Sequence, residues 1–382
     1  MKILRLIGIM ACVITLSVGT ALAGGTIKVG AILAITGPAS FLGAPEAKTL
    51  EMLVEDLNAK GGVNGTKIEL VIKDSGASPE KAVSFAKQLI EEEKVFAIIG
   101  PSTSGETMAI KNIAEEGRTI LLSCAAAEVI VNPVAKYVFK TPQKDSYAVV
   151  KIFQQMKKMG ISKIGILSSN TGFGKAGKEQ LEKLAPESGI QIVISEVYDK
   201  AATDLTAEAT KLKSANVQAI VNWSIEPAQA IVIKNARQIG MTVPIFQSHG
   251  FGNINYVKAA GAAAEGVIFP AGRLLVADVL SDKNPQKSLL LSYKRTYESR
   301  YKEDVSTFGG HAYDALILLE RGMKDAGPNA DKEKVRTAIE NIKGLVGTAG
   351  IFTMSPADHN GLDMDAFAML TVKDGRFALL EK

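Results

Sequence analysis

The sequence predicts an α/β protein built from two lobes, each a doubly wound sheet of parallel strands with helices on both faces. The first observation is that short apolar runs alternate with segments of helical periodicity from Thr26 onward. The second is that this alternation occurs in two runs of comparable length, separated near residues 137–142. The third is the size of the chain. Its 382 residues, 47% of them hydrophobic, are enough to bury two cores.

The amino terminus has the pattern of a secretory signal. Lys2 and Arg5 precede an apolar run over 6–18, and Ala21-Leu22-Ala23 places small residues at the −3 and −1 positions. This pattern predicts a signal peptide over 1–23 that is cleaved before Gly24. The alternative is a membrane anchor, but the apolar run is short for a bilayer. We therefore expect an exported protein.

Net charge argues against several classes of partner, and the cysteine count argues against an internal disulfide. Removal of residues 1–23 lowers the formal net charge from +4 to +2, which gives no reason to expect a nucleic-acid or anionic-membrane partner. Cys124 is then the only remaining cysteine. An exported chain of this size without an internal disulfide relies on core burial, and we expect Cys124 itself to be buried at a strand end.

The first run contains strands and helices of ordinary length. A helix over 43–60 has apolar residues at helical spacing and ends at Gly61-Gly62, since glycine favours helix carboxyl ends. We predict strands over 27–35, 67–74, 95–99 and 119–122, with helices over 43–60 and 79–92 and one that begins at the 100–105 turn.

The turn over 100–105 is the first candidate site. Gly100-Pro101-Ser102-Thr103-Ser104-Gly105 follows a buried strand and precedes a helix, and we expect Ser104 to be the N-cap. Ligands bind at the carboxyl ends of strands in open α/β sheets, and helix amino termini attract anions. The turn therefore predicts a pocket for a small carboxylate. A capped turn without function stays open as the alternative.

The second run continues the pattern and then changes character. We predict helices over 147–159, 175–184, 205–214 and 228–239, alternating with strands over 163–168, 191–197, 219–223, 243–247 and 267–269. Helices over 289–301, 312–326 and 332–342 then follow with no strand between them. A hairpin over 367–372 and 377–380 ends the chain, since its turn contains Asp374-Gly375.

The sequence motifs of common enzyme classes match this chain only in part. Residues 172–177 have the G-x-G-x-x-G spacing, but three residues separate the first glycine from the preceding strand. The 100–105 turn has the frame of a phosphate loop, but Glu106 stands where the lysine is required. The histidines show no metal-ligand spacing. We expect a protein that is not an enzyme and has no cofactor or metal.

A series of short motifs resembles the branched-chain amino acid-binding (leucine/isoleucine/valine-type) family of type I periplasmic binding proteins, the receptors of ABC importers. The resemblance covers essentially the whole mature chain. It rests on Thr36-Gly37-Pro38 with Gly43, residues 58–65, Gly100-Pro101 with Ser104-Gly105, Tyr137-Val138-Phe139, Phe173-Gly174-Lys175, and residues 308–315.

This resemblance implies a fold with two lobes and three hinge crossovers, here near Pro142, Ala271 and Phe352. Lobe one is then 24–142 plus 272–352, and lobe two is 143–271 plus 353–382, with a ligand cleft between them. The implied function is a monomeric periplasmic receptor that binds a small carboxylate and delivers it to a membrane permease. An exported ligand sensor on the same fold, acting on a receptor or regulator, is the alternative.

The resemblance also implies site residues. The Ser104 hydroxyl and the backbone at Ala125 would hold the ligand carboxylate, while Ala127 stands where the family commonly has a hydroxyl. Phe173 matches an aromatic residue that closes over the ligand. The wall would contain Leu42, Phe308 and Trp223, although plain core positions remain the alternative for Phe308 and Trp223.

His249 is the main departure from the family pattern. Amino-acid-binding members usually place an acidic residue near this position to pair with the ligand ammonium. An imidazole is a poor partner for a cation and can donate to an acceptor. We therefore hypothesise a ligand that is not necessarily a zwitterion: a carboxylate with an apolar or aromatic body. A histidine on the lobe surface is the alternative.

Overall fold

The computed structural model describes residues 25–380, so the predicted signal peptide over 1–23 lies outside the described residues. The helices are α1 (Ser40–Ala59), α2 (Pro79–Lys87), α3 (Ser104–Glu116), α4 (Asp145–Lys158), α5 (Gly172–Leu184), α6 (Thr206–Ser214), α7 (Ala228–Gln238), α8 (Ile254–Ala260), α9 (Lys287–Tyr301), α10 (Thr307–Ala326) and α11 (Lys332–Glu340). The strands are β1 (Thr26–Leu33), β2 (Lys67–Asp74), β3 (Ala97–Ile99), β4 (Ile120–Ser123), β5 (Val138–Lys140), β6 (Lys163–Ser169), β7 (Gln191–Tyr198), β8 (Ala219–Trp223), β9 (Ile245–Gln247), β10 (Ile268–Ala271), β11 (Leu345–Val346), β12 (Ile351–Phe352), β13 (Ala368–Lys373) and β14 (Arg376–Leu379).

The first sheet has the order β2-β1-β3-β4-β5, and all its pairs are parallel. Strands β3, β4 and β5 are buried along their whole length, as expected for short apolar runs covered on both faces. Because neighbouring strands are parallel, the turns that follow β1, β3, β4 and β5 meet at one edge of this sheet.

The second sheet has the order β14-β13-β10-β9-β8-β6-β7. Its β6 to β10 pairs are parallel, whereas β13 runs antiparallel to β10 and pairs with β14 in the predicted terminal hairpin. The predicted α/β class with two mostly parallel sheets is confirmed. The predicted boundaries of the two lobes stay a prediction.

Some element boundaries differ from the sequence-based expectation. Helix α10 begins at Thr307, well before the predicted 312, because the Ser306 hydroxyl caps it by accepting from the Gly309 N–H. Helix α5 begins at Gly172 with Thr171 as its N-cap. The G-x-G-x-x-G spacing therefore forms the first turns of a helix. The short helix α8 and the small β11–β12 pair were not predicted.

The connections between the sheets are bound to one another by side-chain amides. Asn360 Nδ2 donates to the carbonyl oxygens of Lys140 and Pro142, at 3.2 and 2.8 Å. Gln143 Nε2 donates to the Ala349 carbonyl at 2.8 Å. Segments distant in sequence are thus held side by side where the chain passes from one sheet to the other. Among residues 25–380, no helix combines the length and apolar character required to span a membrane.

The contact between Gly177 and Trp223 predicts a stability change. A Cβ at position 177 in α5 would lie 2.1 Å from Nε1 of the fully buried Trp223. We expect Gly177→Ala to lower the free energy of unfolding by about 1–3 kcal/mol, because overpacking displaces the indole. Urea unfolding measures the change. Glu179→Ala, on the exposed face of the same helix, is the control and should leave the midpoint nearly unchanged. Equal midpoints for both variants would contradict this packing.

Candidate functional site

A small cavity lies between the two sheets, where strand ends from both of them converge. The space within it, including the part that is open to solvent, is about 310 Å³. The enclosed part of this space holds about one water, so a ligand enters only when the cleft opens. The lining residues are Leu42, Ser102, Ser104, Cys124, Ala125, Ala126, Pro142, Phe173, Ile225, His249, Gly250, Phe308 and His311.

Most of the predicted site residues line this cavity: Leu42, Ser104, Ala125, Phe173, His249 and Phe308. Ala127 and Trp223 do not line it. The Ala127 N–H donates to the Ser104 Oγ at 3.2 Å, and the Trp223 ring lies behind Phe173 and His249, with centroids at 5.8 and 5.6 Å. His249 is only 6% exposed, so the alternative of a surface histidine is wrong. The roles of these residues in binding stay predictions.

The first-sheet side of the cavity offers a hydroxyl donor beside a helix amino terminus. Thr103, one residue before the expected position, is the N-cap of α3, and its hydroxyl accepts from the Glu106 N–H. Ser104 Oγ accepts from Ala127, which leaves the Ser104 hydrogen available to a ligand. The Ala125 N–H is engaged with Ser123 Oγ at 3.1 Å. Ser104 and the helix dipole together favour an anion at this side.

Sequence reasoning missed several lining residues: Ser102, Cys124, Ala126, Pro142, Ile225, Gly250 and His311. Cys124, Ala126 and Gly250 are next to predicted residues at the same strand ends, so the strand-end pattern could have included these three. His311 is three residues after Phe308 and shares its helix face, but the prediction began the helix after both. Helical spacing from Phe308 would have found it.

Lys140 supplies a buried positive charge behind the cavity. Its Nζ donates to the carbonyl oxygens of Ala126, Pro142 and Gln143 at 2.9, 2.7 and 2.9 Å. Burial lowers the pKa of Lys140, and the negative charge of Asp145 counteracts that shift. The lysine charge also affects the neighbouring imidazoles.

Both cavity histidines are neutral. Burial first, and then the Lys140 charge, lower the pKa of His311 to about 3. Burial, Lys140 and His311 together lower the pKa of His249 well below its ordinary value. Neither imidazole adds a charge to the cavity at neutral pH.

No acidic side chain is among the cavity-lining residues in the described part of the chain. Glu46 lies behind Ser102 and accepts from its hydroxyl, but burial raises the Glu46 pKa to about 8, so the carboxyl is neutral at pH 7. The Asp145 carboxyl lies behind His249, with Oδ1 3.6 Å from Nε2, and is not among the lining residues. A cationic ligand group therefore finds no carboxylate in the cavity wall itself.

Several carbonyl oxygens around the cavity are already engaged. Those of Ala126 and Pro142 accept from Lys140, that of Ile225 accepts from the Tyr256 hydroxyl, and that of Gly250 accepts from Gln229 Nε2. Backbone oxygens at these positions are thus poorly placed to replace a missing carboxylate as partners of an ammonium group.

Direct contacts across the cleft hold it closed. The Thr307 N–H donates to the Gly252 carbonyl at 3.0 Å, and Asn253 Nδ2 donates to the Phe41 carbonyl at 3.0 Å. On another side, Gly172 packs against the backbone of Gly105 so closely that a Cβ at 172 would lie 3.0 Å from the Gly105 nitrogen. These contacts join the start of α10 and helix α1 to the loop before α8, and the start of α3 to the start of α5.

Comparison with known proteins gives one consistent family. The profile of the family described as "Periplasmic binding protein" matches residues 26–376. The leucine-, isoleucine-, valine-, threonine- and alanine-binding protein of Pseudomonas aeruginosa is 26% identical over 323 residues, covering 83% of each chain.

Solved structures agree with this fold. An extracellular ligand-binding receptor from Rhodopseudomonas palustris superposes with a TM-score of 0.88 at 28% identity, covering 94% of this chain and 100% of the other. A solute-binding protein of an ABC transporter from the same species, in complex with 3,4-dihydroxybenzoic acid, gives 0.80 at 19% identity, covering 94% and 96%. At 19% identity, the similarity to this second structure shows a common fold alone.

The cross-cleft contacts predict how the Cys124 thiol reacts. Cys124 lines the cavity and is 2% exposed, so a thiol reagent reaches it only when the cleft opens. A Cβ at Gly252 would lie 2.1 Å from Thr307 Oγ1 across the cleft. We expect Gly252→Ala to favour the open form by about 1–3 kcal/mol, which speeds thiol modification about 5- to 150-fold.

The rate of modification of native protein by a maleimide measures this effect. Gly25→Ala is the matched control, because a Cβ there meets open space. Identical rates for the wild type and both variants would contradict a cleft held closed at Gly252.

Proposed function

The chain belongs to the branched-chain amino acid-binding family of type I periplasmic binding proteins, and from this premise we propose that it is the substrate-binding component of an ABC importer for a small carboxylate without an ammonium group. The resemblance found in the sequence is thus confirmed at the level of the family. Members of this family are substrate-binding proteins rather than enzymes. We propose the same for this chain, with export to the periplasm and cleavage before Gly24.

The observation that carries the proposal is the absence of any acidic residue from the described cavity lining. An amino acid enclosed there would bury its ammonium without a charged partner, which costs several kcal/mol. An acid without the ammonium avoids this cost. Its carboxylate would receive the Ser104 hydroxyl and the favourable charge of Lys140, while Leu42, Phe173 and Phe308 surround an apolar or aromatic body.

The proposed mechanism is capture followed by closure. The acid first contacts the Ser104 side, and closure then brings Phe173 and His249 over it and excludes water. Since a ligand shifts the equilibrium only by its differential affinity, contacts with both lobes are needed to favour the closed form. A membrane permease that recognises the closed form would receive only loaded protein.

Two matched ligand pairs test the proposal. Leucine and 4-methylpentanoate share one skeleton and differ only in the amino group, as do phenylalanine and 3-phenylpropanoate. We expect each acid without the amino group to bind the purified mature protein at least about tenfold more tightly than its partner, because no ammonium is buried. Isothermal titration calorimetry gives both dissociation constants. Low-micromolar leucine binding without any affinity for the aromatic acid would refute the proposal.

A hydroxyl deletion tests the placement of the carboxylate. We expect Ser104→Ala to weaken binding of the acid by about 1–3 kcal/mol, because a hydrogen bond to a charged group is lost. Ser78→Ala is the matched control, since Ser78 caps helix α2 away from the cavity. Calorimetry on the same acid compares the two variants. Unchanged affinity in Ser104→Ala would show that the carboxylate lies elsewhere.

A further inference from the structure

We propose that His249 accepts a hydrogen bond from a hydroxyl group of the ligand, so that the site selects a hydroxylated aromatic acid. This inference rests on the function proposed above and names the ligand class more narrowly. It concerns the side of the cavity opposite Ser104, because His249 follows a strand of the second sheet and Ser104 follows one of the first.

The wall around His249 contains polar atoms without partners. The His249 side chain is 4% exposed, and neither ring nitrogen has a hydrogen-bond partner. Nδ1 of His311, which lines the same cavity, also has none. A buried polar atom left unpaired costs about 1–3 kcal/mol. A ligand that pairs with these nitrogens recovers that energy, whereas a purely apolar ligand does not.

The His249 ring is held in place by aromatic neighbours. Phe173, Trp223 and Phe367 meet it edge to face, with centroids at 5.4, 5.6 and 5.5 Å and interplanar angles of 73°, 75° and 73°. These rings pack against the imidazole, and none of them, the Trp223 indole N–H included, forms a hydrogen bond with a His249 nitrogen. The ring plane is therefore fixed before a ligand arrives, which reduces the entropy cost of binding.

The position of Asp145 indicates which nitrogen carries the hydrogen. His249 Nε2 lies 3.6 Å from Asp145 Oδ1, an oxygen without any other partner, while Asp145 Oδ2 accepts from the Glu128 N–H at 3.2 Å. Burial raises the pKa of Asp145 to about 7, and the positive charge of Lys140 opposes that shift. Once ionised, the carboxylate attracts an N–H and repels a lone pair, so Nε2 is then the protonated nitrogen. A neutral imidazole then has its acceptor at Nδ1. The ligand must supply a donor, and a hydroxyl does so without a charge.

Matched benzoates test this inference. The ligands are benzoate, 3-hydroxybenzoate, 4-hydroxybenzoate and 4-methoxybenzoate, each titrated by calorimetry into the full mature protein. We expect at least one hydroxybenzoate to bind about tenfold or more tightly than benzoate, because the hydroxyl pairs with Nδ1. The methoxy compound keeps the oxygen but lacks the donor, and it should show no such gain.

The variant His249→Phe separates a specific role from a structural one. It removes the acceptor while keeping an aromatic ring. The ratio of the dissociation constants of benzoate and the preferred hydroxybenzoate should therefore fall to about one. A merely structural role would weaken all the benzoates equally and leave the preference intact. His249→Gln retains an acceptor and should retain part of the preference.

A measurement on the wild-type protein covers the case in which these variants do not fold. Nitrogen-15 NMR of histidine-labelled protein, recorded above pH 7 where the Asp145 carboxyl is ionised, should show His249 protonated at Nε2. Its Nδ1 resonance should be shifted by the tighter hydroxybenzoate and not by benzoate. An Nδ1–H tautomer, or hydroxybenzoates that bind no better than benzoate, would overturn the inference alone. Failure of every carboxylate in both panels would overturn the proposed function as well.

Discussion

The site depends on the hydrogen bonds that the buried ammonium group of Lys140 donates to three carbonyl oxygens. Its three carbonyl partners come from the turn after β4 and from the connection between the sheets, and its own backbone is bonded to residues 359 and 360 of another crossing segment. One side chain therefore joins the hinge region to the cavity wall. Its hydrogen-bond partners are neutral carbonyls, and the carboxyl groups of Asp145 and Glu128 offset part of its charge. The charge that remains acts on groups nearby and favours an anion over a cation in the cavity.

Burial and this charge explain the other properties of the cavity. They keep His249 and His311 neutral, and burial keeps Glu46 protonated, so the side chains that line the cavity in the described part of the chain offer hydrogen-bonding groups and no negative charge. The same family fold is compatible with branched-chain amino acids in the Pseudomonas aeruginosa relative. The proposed difference in ligand therefore lies in a few residues of the cavity wall and not in the architecture. Opening and closing would then be governed by contacts around the cavity, such as that between Gly252 and Thr307.

Much of the fold was predictable because the spacing of apolar residues and the glycines that end helices are local signals. The strand ends of a parallel sheet meet at one edge, which is why the turn that contains Ser104 could be predicted as a site from the sequence pattern. Ala125, Phe173 and His249 were added by the resemblance to the family, and all four residues line one cavity. Side-chain direction was less predictable. Trp223 follows the strand pattern of the site yet packs beneath Gly177, and His311 was missed because a Gly-Gly pair obscured the start of α10. The engagement of the Ala125 N–H by Ser123 depends on tertiary contacts that no local pattern encodes.

The proposed ligand of this cleft is a carboxylate that has no ammonium group. The most direct measurement uses the ligand that the protein itself retains. Protein purified from its native periplasm without denaturation is washed and then unfolded, and the released small molecules are identified by mass spectrometry. We expect a carboxylic acid without an amino group, in an amount stoichiometric with the protein. Release of leucine, isoleucine, valine or another amino acid in that amount would contradict this proposal.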